Sequence, residues 1–377
     1  MELFSLEQRL RALKDCLGKS KRIVVYIIEG ENDSQCRYRC KNLKVAFSRE
    51  NSPWVVIWFY KGEFKKIERY LDAIDLVVIL RQTEKKYTLL SIIDKLRSKN
   101  MRVLFDLDDL LFDYKDLGLV FDTVREKSIF YWLGYIWGIR RIAKRVDGFT
   151  CTNEFLAGKL KRSFGKSVKV IPNSLNKEQI EVSEQAVKTK LVRKNVDDEF
   201  VIGYFSGSPT HAMDFALVEP ELIRFLKEYE NVKLVVVGYM KFSKQMRELV
   251  DVGRVEVMGV VDYLRLQELM SRVDVNIAPL VINDFTNCKS ELKFFEAAAV
   301  ETTTIASPNY SFKKAITDGK NGFLAKPGEW YQKLEYLYNH PEENRKIALE
   351  AKKYALKHYY GEEFLKEVEE AYDYFAK

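Results

Sequence analysis

The stretch Thr286-Asn-Cys-Lys-Ser-Glu-Leu-Lys-Phe-Phe-Glu-Ala-Ala-Ala-Val-Glu-Thr-Thr-Thr-Ile-Ala-Ser307 predicts a loop, an amphipathic helix and a short strand, in that order. On a helix with about 3.6 residues per turn, Lys289, Lys293 and Glu296 fall within an arc of about sixty degrees, next to an apolar stripe. The preceding segment, Val273–Pro279, has the apolar density of a buried parallel strand. The charged face therefore begins just beyond the carboxyl end of a strand, where open α/β sheets bind their ligands.

The composition is that of an ordinary soluble globular protein. The chain has 377 residues, of which 47% are hydrophobic, so it can bury a large core and is long enough for two domains. Its net charge of +7 suits acidic partners such as phosphorylated ligands or anionic lipid, and a slightly basic surface without such a role fits equally well. We expect no nucleic-acid partner.

Strand and helix patterns alternate along both halves of the chain. In the first half the predicted strands are Arg22–Ile28, Trp54–Tyr60, Asp75–Leu80, Arg102–Leu107, Asp147–Cys151 and Val168–Ile171. In the second half they are Phe200–Phe205, Val232–Gly238, Val255–Met258, Val273–Ala278, Thr303–Ala306 and Gly322–Ala325. This alternation indicates right-handed crossovers and parallel sheets, so the expected fold class is α/β with two doubly wound, Rossmann-like domains.

The domain boundaries follow from where the alternation is interrupted. We expect residues 1–175 to form the first domain, 176–199 a charged linker with weak periodicity, and 200–345 the second domain. Residues 346–377 are expected to form helices that could pack back on the first domain. The ligand cleft is expected between the two domains.

The order of short motifs in the second half resembles the retaining GT-B glycosyltransferases of family four, also called group 1. The motifs are Ile202-Gly-Tyr-Phe-Ser-Gly-Ser208, Val237-Gly238, Met258-Gly259, Asp274-Val-Asn-Ile-Ala-Pro279, Glu296-Ala-Ala and Asp318-Gly-Lys-Asn-Gly-Phe323. The resemblance implies a GT-B fold with the nucleotide-sugar donor in the second domain and the acceptor in the first.

By this resemblance, Glu296 is the second glutamate of the family's paired-glutamate motif and binds the donor ribose. A carboxylate suits two adjacent hydroxyls because it accepts two hydrogen bonds in a fork. The first glutamate of the motif would lie eight residues earlier, where this chain has Cys288. The departure resembles a subset found among cell-surface polysaccharide glycosyltransferases, in which a Lys-Ser pair replaces the acidic position.

Positive charge at the predicted helix start would hold the donor diphosphate. Lys289 and Ser290 lie where free backbone N–H groups and the helix dipole favour phosphate, and Lys293 follows one turn later. A solvated helix face with an internal Lys293–Glu296 pair is the alternative. We predict Lys293 as a catalytic residue.

Small residues after the first strand of the second half predict a diphosphate-binding loop. Backbone amides there can approach an anion closely, and hydroxyls add donors. The predicted donor-binding residues are Ser206, Gly207, Ser208, His211, Val260, Lys289, Ser290 and Glu296. For Asp214 we prefer helix capping.

Three aspartates follow a strand of the first half. Strand alternation places Asp106 and Asp108 on one face, and Asp109 begins the turn. The Asp-x-Asp spacing resembles metal-binding motifs of a single-domain transferase fold, which conflicts with two sheets. We therefore predict no metal site, take Asp108 and Asp109 as catalytic and Asp106 as acceptor-side, and leave helix capping as the alternative.

Two arginines after the first strand, Arg37 and Arg39, are predicted acceptor-side residues, with solvated helix charges as the alternative. The segment Ile129–Arg145 combines aromatic residues with a basic end, which favours peripheral contact with a membrane over a purely structural core helix.

The expected location is the cytoplasm, at the inner face of the plasma membrane. Residues 1–10 carry early charges, unlike a signal peptide, and no apolar run reaches membrane-spanning length. Five cysteines, an odd number without C-x-x-C spacing, argue against a disulfide framework.

The resemblance implies transfer of a sugar, with retention of configuration, from a nucleotide-diphosphate donor, for which we expect a UDP-sugar, to a saccharide acceptor that is lipid-linked. No further cofactor is expected. A sugar-nucleotide epimerase of similar architecture and a non-catalytic GT-B partner subunit remain open as alternatives. An epimerase would need acid and base residues on either side of the sugar.

Overall fold

The computed structural model describes residues 5–18, 20–30, 34–48, 52–84, 88–123, 127–193, 199–207 and 212–376. The chain forms two compact units. The first unit consists of Met1–Asn176, Cys288–Ser290 and Tyr359–Lys377, and the second unit consists of Lys177–Asn287 and Glu291–His358.

The first unit contains a six-stranded parallel sheet with helices between the strands. Its strands are β1 (Arg22–Ile28), β2 (Trp54–Tyr60), β3 (Leu76–Leu80), β4 (Val103–Leu107), β5 (Gly148–Cys151) and β6 (Ser167–Val170). Its helices up to residue 176 are α1 (Leu6–Cys16), α2 (Ser34–Cys36), α3 (Asn42–Phe47), α4 (Phe64–Ile67), α5 (Thr88–Ser98), α6 (Leu117–Thr123), α7 (Ile129–Arg145) and α8 (Glu154–Phe164). A five-residue π-helical turn, Arg37–Lys41, joins α2 to α3.

The second unit contains another six-stranded parallel sheet. Its strands are β7 (Phe200–Ser206), β8 (Val232–Gly238), β9 (Val255–Met258), β10 (Val275–Ala278), β11 (Thr303–Ala306) and β12 (Phe323–Leu324). The helices from residue 177 onward are α9 (Lys177–Arg193), α10 (Ala212–Ala216), α11 (Glu219–Glu228), α12 (Lys244–Asp251), α13 (Tyr263–Ser271), α14 (Asp284–Asn287), α15 (Leu292–Ala299), α16 (Tyr310–Ala315), α17 (Trp330–Asn339), α18 (Pro341–Tyr359) and α19 (Glu362–Ala376).

The predicted α/β fold class is confirmed, and each predicted strand is present with its ends shifted by at most two residues. The strand order is β2-β1-β3-β4-β5-β6 in the first sheet and β12-β11-β10-β7-β8-β9 in the second. Both orders reverse direction once, between β1 and β3 in the first sheet and between β7 and β10 in the second. Ligands of doubly wound sheets bind at such switch points, outside the carboxyl ends of the strands.

The last helix, α19, belongs to the core of the first unit. Phe364, Val368 and Tyr372 are fully buried among side chains of that sheet. The Tyr372 hydroxyl lies 2.8 Å from the hydroxyl of Tyr26 on β1, which ties the helix to the sheet by a buried hydrogen bond. The preceding helix, α18, lies in the second unit up to His358.

The segment expected to be a linker is largely helical. Lys177–Arg193 forms α9 within the second unit, and the Ser183 hydroxyl donates to Gln267 on α13 over 3.0 Å. Fully buried Gln179 lies on the packed face together with apolar side chains. Because polar residues take buried positions on this helix, the sequence shows weak periodicity where a packed helix is present.

None of the helices within the described ranges combines the length and the apolar character needed to span a bilayer. The aromatic segment of the first unit, α7, buries one side: Trp132, Ile136, Ile139 and Ile142 pack inward.

A glycine at the end of β8 is required by the backbone. Gly238 has a φ of +106°, and a Cβ added there would lie 1.7 Å from the carbonyl oxygen of Ser206 on the neighbouring strand β7. A side chain at this position is therefore excluded both by conformation and by space. At the end of the next strand, Gly259 has no atom within 4 Å of an added Cβ.

We predict that Gly238→Ala destabilises the second unit by about 3 kcal/mol, because the strand end must shift and a left-handed conformation is imposed on alanine. For a unit of this size, differential scanning calorimetry should show a midpoint lowered by about 6–12 °C. Gly259→Ala is the control and should melt like the wild type. Equal midpoints for the two variants would contradict the close approach of β8 to β7.

Candidate active site

The first unit brings charged side chains together beyond the carboxyl ends of β3 and β4. Arg81 is the first residue after β3, and Asp106, Asp108 and Asp109 lie at or just beyond the end of β4. The segment Cys288–Ser290 belongs to this unit as well. The sequence predicts five of these as site residues, namely Asp106, Asp108, Asp109, Lys289 and Ser290, and does not predict Arg81.

Asp106 and Arg39 form a buried ion pair. Arg39 donates from Nε to Asp106 Oδ1 over 3.0 Å and from Nη2 to Oδ2 over 2.7 Å, and both side chains are shielded from solvent. Thr150 on β5 donates its hydroxyl to the same carboxylate over 2.6 Å. Arg39 Nη1 also donates to the carbonyl oxygen of Ile171 and to the side chain of Asn173. The hydrogen bonds of both charged groups are thus made inside the protein.

This pair differs from the acceptor-side role predicted for Arg39 and Asp106. The π-helical turn aims Arg39 into the sheet rather than toward solvent, and Asp106 still lies within β4. Since each charge is neutralised by the other and both side chains are covered, neither group is accessible to an acceptor. Arg37, two residues earlier, is only half-buried and lies over the ring of Tyr38, 4.4 Å from its centroid.

Asp108 and Asp109 are bridged by one guanidinium. Arg81 Nε lies 3.1 Å from Asp108 Oδ1, and Arg81 Nη1 lies 2.7 Å from Asp109 Oδ2. Gln35 donates to Asp108 over 3.1 Å, while Lys289 Nζ lies 3.2 Å from Asp109. Among the described residues, the two neighbouring carboxylates share Arg81 as an ion-pair partner, and Asp109 forms a second ion pair with Lys289.

The two carboxyl groups consequently titrate differently. Burial raises the pKa of Asp108 to about 6, although the charge of Arg81 opposes the rise. Burial also acts to raise the pKa of Asp109, but Lys289 and Arg81 outweigh it and lower that pKa below its ordinary value. A pair of acids whose environments separate their pKa values can hold one ionised group beside one that exchanges a proton near neutral pH.

The segment 288–290 is held by asparagine side chains of the first unit. Asn153 donates to the carbonyl oxygen of Lys289 over 3.2 Å, and Asn173 donates to the hydroxyl of Ser290 over 2.9 Å. Helix α15 therefore begins only at Leu292. The single helix predicted to carry Lys289, Lys293 and Glu296 on one face is not formed, because these contacts hold the first of the three outside it.

The second unit places on α15 the predicted catalytic residue Lys293 and the predicted donor-binding residue Glu296. The Lys293 ammonium lies over the ring of Tyr204 on β7, with Nζ 4.7 Å from the ring centroid, which is cation–π geometry. The Asn276 amide on β10 donates to the carbonyl oxygen of Lys293 over 3.0 Å and fixes the first turn of the helix. Both contacts lie at the switch point between β7 and β10.

Glu296 is buried rather than part of a solvated charged face. Gln179 of α9 donates to its Oε1 over 3.4 Å, and only 3% of the residue is exposed. The carboxylate is thus oriented by a side chain that the sequence assigned to a linker.

The predicted diphosphate loop is described in part. Ser206 ends β7 and is buried, and Gly207 follows it in an exposed position; Ser208 and His211 lie outside the described residues. Val260 follows β9 and exposes 57% of its surface. Asp214, expected to cap a helix, accepts a hydrogen bond from the backbone of Val281 over 2.8 Å.

Sequence reasoning missed Arg81, Gln35, Tyr204 and Gln179. The rule that ligand sites lie beyond strand ends could have found Arg81, which directly follows β3. The other three carried no signal in the sequence, because their partners are distant along the chain. Among the residues with described positions, no group of three or more His, Cys, Asp or Glu side chains is arranged to hold a metal ion.

We predict that Asp106→Asn lowers the free energy of unfolding by about 3–5 kcal/mol, because it leaves the charge of Arg39 buried without its partner. Urea unfolding followed by circular dichroism measures the change. Combining Arg39→Met with Asp106→Leu should restore much of the loss, since an apolar pair needs no neutralisation. As a control, Asp72→Asn removes a solvent-exposed pair with Lys99 and should cost under about 1 kcal/mol. Wild-type stability of Asp106→Asn would contradict the structural role of the pair.

A protein-family model matches part of the second half of the chain. Residues 199–340 match the family model described as Glycosyl transferases group 1. A stretch of 95 residues is 33% identical to EpsD from Bacillus subtilis (strain 168), which is named as a glycosyltransferase. That stretch covers 24% of this chain and 24% of EpsD, so the match spans about a quarter of this relative.

Similar solved structures cover nearly the whole chain. Anabaena Alr3699/HepE in complex with UDP and glucose has a TM-score of 0.60 at 13% identity, covering 94% of this chain and 99% of that one. Sucrose-phosphate synthase from Thermosynechococcus elongatus has a TM-score of 0.60 at 15% identity, with coverage of 94% and 99%. WaaG, a glycosyltransferase involved in lipopolysaccharide biosynthesis, has a TM-score of 0.60 at 12% identity, with coverage of 93% and 99%. At such identities these likenesses establish the fold. The chain therefore has the fold of the GT-B glycosyltransferases, and its residues 199–340 carry the match to glycosyl transferases group 1.

Proposed function

We propose that the protein is a glycosyltransferase that moves a sugar from a nucleotide-diphosphate donor to a saccharide acceptor. The observation that carries the proposal is the switch point of the second unit, where β7 ends in small residues and α15 supplies Lys293 and buried Glu296. This switch point lies within residues 199–340, which match glycosyl transferases group 1. A cation for the diphosphate and an oriented carboxylate for a ribose are the groups that a nucleotide-diphosphate sugar requires.

In the second unit, one side chain would bind the diphosphate of the donor and another would bind its ribose. Lys293, held over Tyr204 and fixed by Asn276, is placed to stabilise the negative charge that develops on the departing diphosphate. Glu296, oriented by Gln179, would accept the ribose hydroxyls. The remaining proposed donor-binding residues are Ser206, Gly207, Ser208, His211, Val260, Lys289 and Ser290. We propose a UDP-sugar because HepE, which shares the fold, has been solved with UDP.

The acceptor would bind the first unit, near Asp108, Asp109 and Arg37. Both aspartates are partly open to solvent and charge-paired, so they can bind sugar hydroxyls. Retention of configuration and a lipid-linked saccharide acceptor in surface polysaccharide synthesis are part of the proposal. The resemblance to the retaining family supports retention, and the Lys289-Ser290 pair, which resembles a subset found among cell-surface polysaccharide glycosyltransferases, supports the acceptor.

We predict that one nucleotide diphosphate, UDP, raises the melting temperature of the protein, because a ligand that binds only the folded state stabilises it by mass action. Lys293→Ala and Glu296→Gln should each reduce this shift at a fixed UDP concentration, since one removes the diphosphate cation and the other the ribose acceptor. Exposed Lys227 on α11 offers a matched control, Lys227→Ala, which should keep the full shift.

Incubation with the donor and a panel of saccharide acceptors then measures transfer. Sugar transfer that depends on an acceptor supports the proposal. An altered donor sugar in the absence of any acceptor would instead indicate an epimerase, and a UDP shift that survives both site substitutions would show that the donor binds elsewhere.

We propose in addition that α7 contacts the cytoplasmic face of an anionic membrane, where a lipid-linked acceptor would lie. Phe130 and Trp137 lie seven residues apart, on the same face of α7, and expose 80% and 49% of their surfaces. Arg141 lies 4.4 Å from the ring centroid of Trp137, and Lys144 follows on the same face. Aromatic rings with cations beside them suit the interface between lipid headgroups and acyl chains.

We predict that the protein sediments with vesicles of phosphatidylcholine and phosphatidylserine and much less with phosphatidylcholine alone. Combining Phe130→Ser with Trp137→Ser should weaken this binding at least about tenfold, because two exposed aromatic side chains are no longer there to enter the lipid interface. Val252→Ser, at an apolar position of the second unit that is 70% exposed, is the matched control and should bind as the wild type does. Unchanged binding of the double variant would contradict this surface.

A further inference from the structure

Helix α7 packs directly against the loop that follows Arg81. A Cβ added to Gly138 on α7 would lie 2.0 Å from the hydroxyl oxygen of Thr83 and 3.0 Å from the amide nitrogen of Glu84, so no side chain fits between the helix and this loop. The Thr83 hydroxyl donates to the carbonyl oxygen of Tyr135 on α7 over 3.4 Å. The first half of the helix is therefore fixed beside the carboxyl end of β3.

The hydroxyl of Tyr135 differs from other tyrosine hydroxyls of the first unit. Those of Tyr26 and Tyr372 form a hydrogen bond with each other over 2.8 Å, and that of Tyr38 accepts from Arg37 over 2.9 Å. Among the residues with described positions, none forms a hydrogen bond with the hydroxyl of Tyr135, although the residue is half-buried. Because the hydroxyl of a buried tyrosine usually has a partner inside the protein, this one is available to a ligand.

The groups around the Tyr135 hydroxyl favour an uncharged polar ligand. Arg81, Asp108 and Asp109 all act on this hydroxyl electrostatically. Burial raises the pKa of Tyr135 to about 12, so the phenol stays protonated at neutral pH and can donate a hydrogen bond. The two carboxylates are paired with Arg81 and Lys289, so the positive and negative charges of the cluster balance. A sugar hydroxyl suits such surroundings better than an ion does.

Aromatic rings extend from Tyr135 along one side of α7. Tyr131, one turn earlier, stacks with Tyr135 at a centroid distance of 6.2 Å and an interplanar angle of 29°. Trp132 meets Tyr135 edge-on at 5.6 Å. Tyr131 exposes 40% of its surface. By helical spacing, the two tyrosines lie on a different side of α7 from Phe130 and Trp137, so the surface proposed to contact lipid leaves these rings open to a ligand.

We propose that Tyr131 and Tyr135 form a subsite for a pyranose ring of the saccharide acceptor, in which their rings contact its C–H groups and the Tyr135 hydroxyl binds one of its hydroxyls. The inference rests on the proposed glycosyl transfer. The C–H groups of a sugar carry partial positive charge and are attracted to the negative face of an aromatic ring. Aromatic walls with a few placed polar groups are typical of sites for small polar ligands. The two tyrosines therefore determine how tightly the acceptor binds.

The experiment measures KM for the acceptor and kcat with the full-length protein at saturating donor. Tyr135→Phe keeps the ring and loses the hydroxyl, so the acceptor KM should rise about 3- to 10-fold, the effect of one hydrogen bond. Tyr135→Leu also loses the ring, and the acceptor KM should rise at least about tenfold. Since binding of the acceptor is weakened equally before and during the reaction, kcat should stay within about threefold of the wild type.

Tyr374→Phe is the matched control. Tyr374 lies on α19, and its hydroxyl is 3.1 Å from that of Ser167 at the amino end of β6. This variant should keep the wild-type acceptor KM. An acceptor KM of Tyr135→Leu equal to that of the wild type would overturn the subsite.

The melting temperature separates a binding role of the Tyr135 hydroxyl from a structural one. Because this hydroxyl has no partner among the described residues, Tyr135→Phe should melt at or above the wild-type temperature while it binds the acceptor more weakly. A lowered midpoint together with an unchanged acceptor KM would show that the hydroxyl supports the fold, and would overturn its role in the subsite.

A measurement without turnover separates this inference from the proposed function. Methyl glycosides of glucose, galactose and N-acetylglucosamine are the probes, and saturation-transfer difference NMR detects their binding. At least one should give a signal with the wild type, strongest at its ring C–H protons, and Tyr135→Leu should lose most of that signal. If this is found while no acceptor is glycosylated, the proposed function fails and the subsite stands. No signal with the wild type, or an undiminished signal with Tyr135→Leu, would overturn the subsite.

Discussion

In a parallel sheet that is buried on both faces, few positions allow a polar side chain to contact a ligand. In both sheets most buried strand residues are apolar, and the polar side chains inside strands, such as Asp106 and Asn276, are satisfied by internal hydrogen bonds. The reversal of strand order then leaves a crevice for a ligand in each sheet, between β1 and β3 in the first sheet and between β7 and β10 in the second. The charged groups of the first unit and the α15 residues of the second both follow from this constraint.

Within the first unit, a difference of two positions along the chain separates a structural carboxylate from an accessible one. Asp106 lies inside β4, where Arg39 and Thr150 satisfy it away from solvent. Asp108 lies just beyond the strand, where its partners are Arg81 and a neutral amide. A buried ion pair that has lost one partner is strongly destabilised, whereas a carboxylate at the rim can gain or lose a proton at modest cost. The same residue type therefore supports the fold at one position and is available for chemistry at the other.

The sequence predicts the sheets well because apolar density and turn residues are local properties. It predicts contacts poorly where partners are far apart along the chain. The Arg39–Asp106 pair spans 67 residues, and the Gln179–Glu296 contact spans 117, so no pattern within a helix or strand could reveal either. Weak periodicity predicts a linker over the residues that form α9, because buried Gln179 and Ser183 occupy positions where an apolar stripe would otherwise lie. Lys289 was placed on α15 because periodicity cannot show that Asn153 holds its backbone outside the helix.

We propose that the second unit holds the donor nucleotide through Lys293 and Glu296. A crystal structure of the protein soaked with UDP would show where the nucleotide binds. We expect diphosphate oxygens within hydrogen-bonding distance of Lys293 Nζ and ribose hydroxyls on the Glu296 carboxylate. Nucleotide bound at another place on the protein, with both side chains untouched, would contradict it.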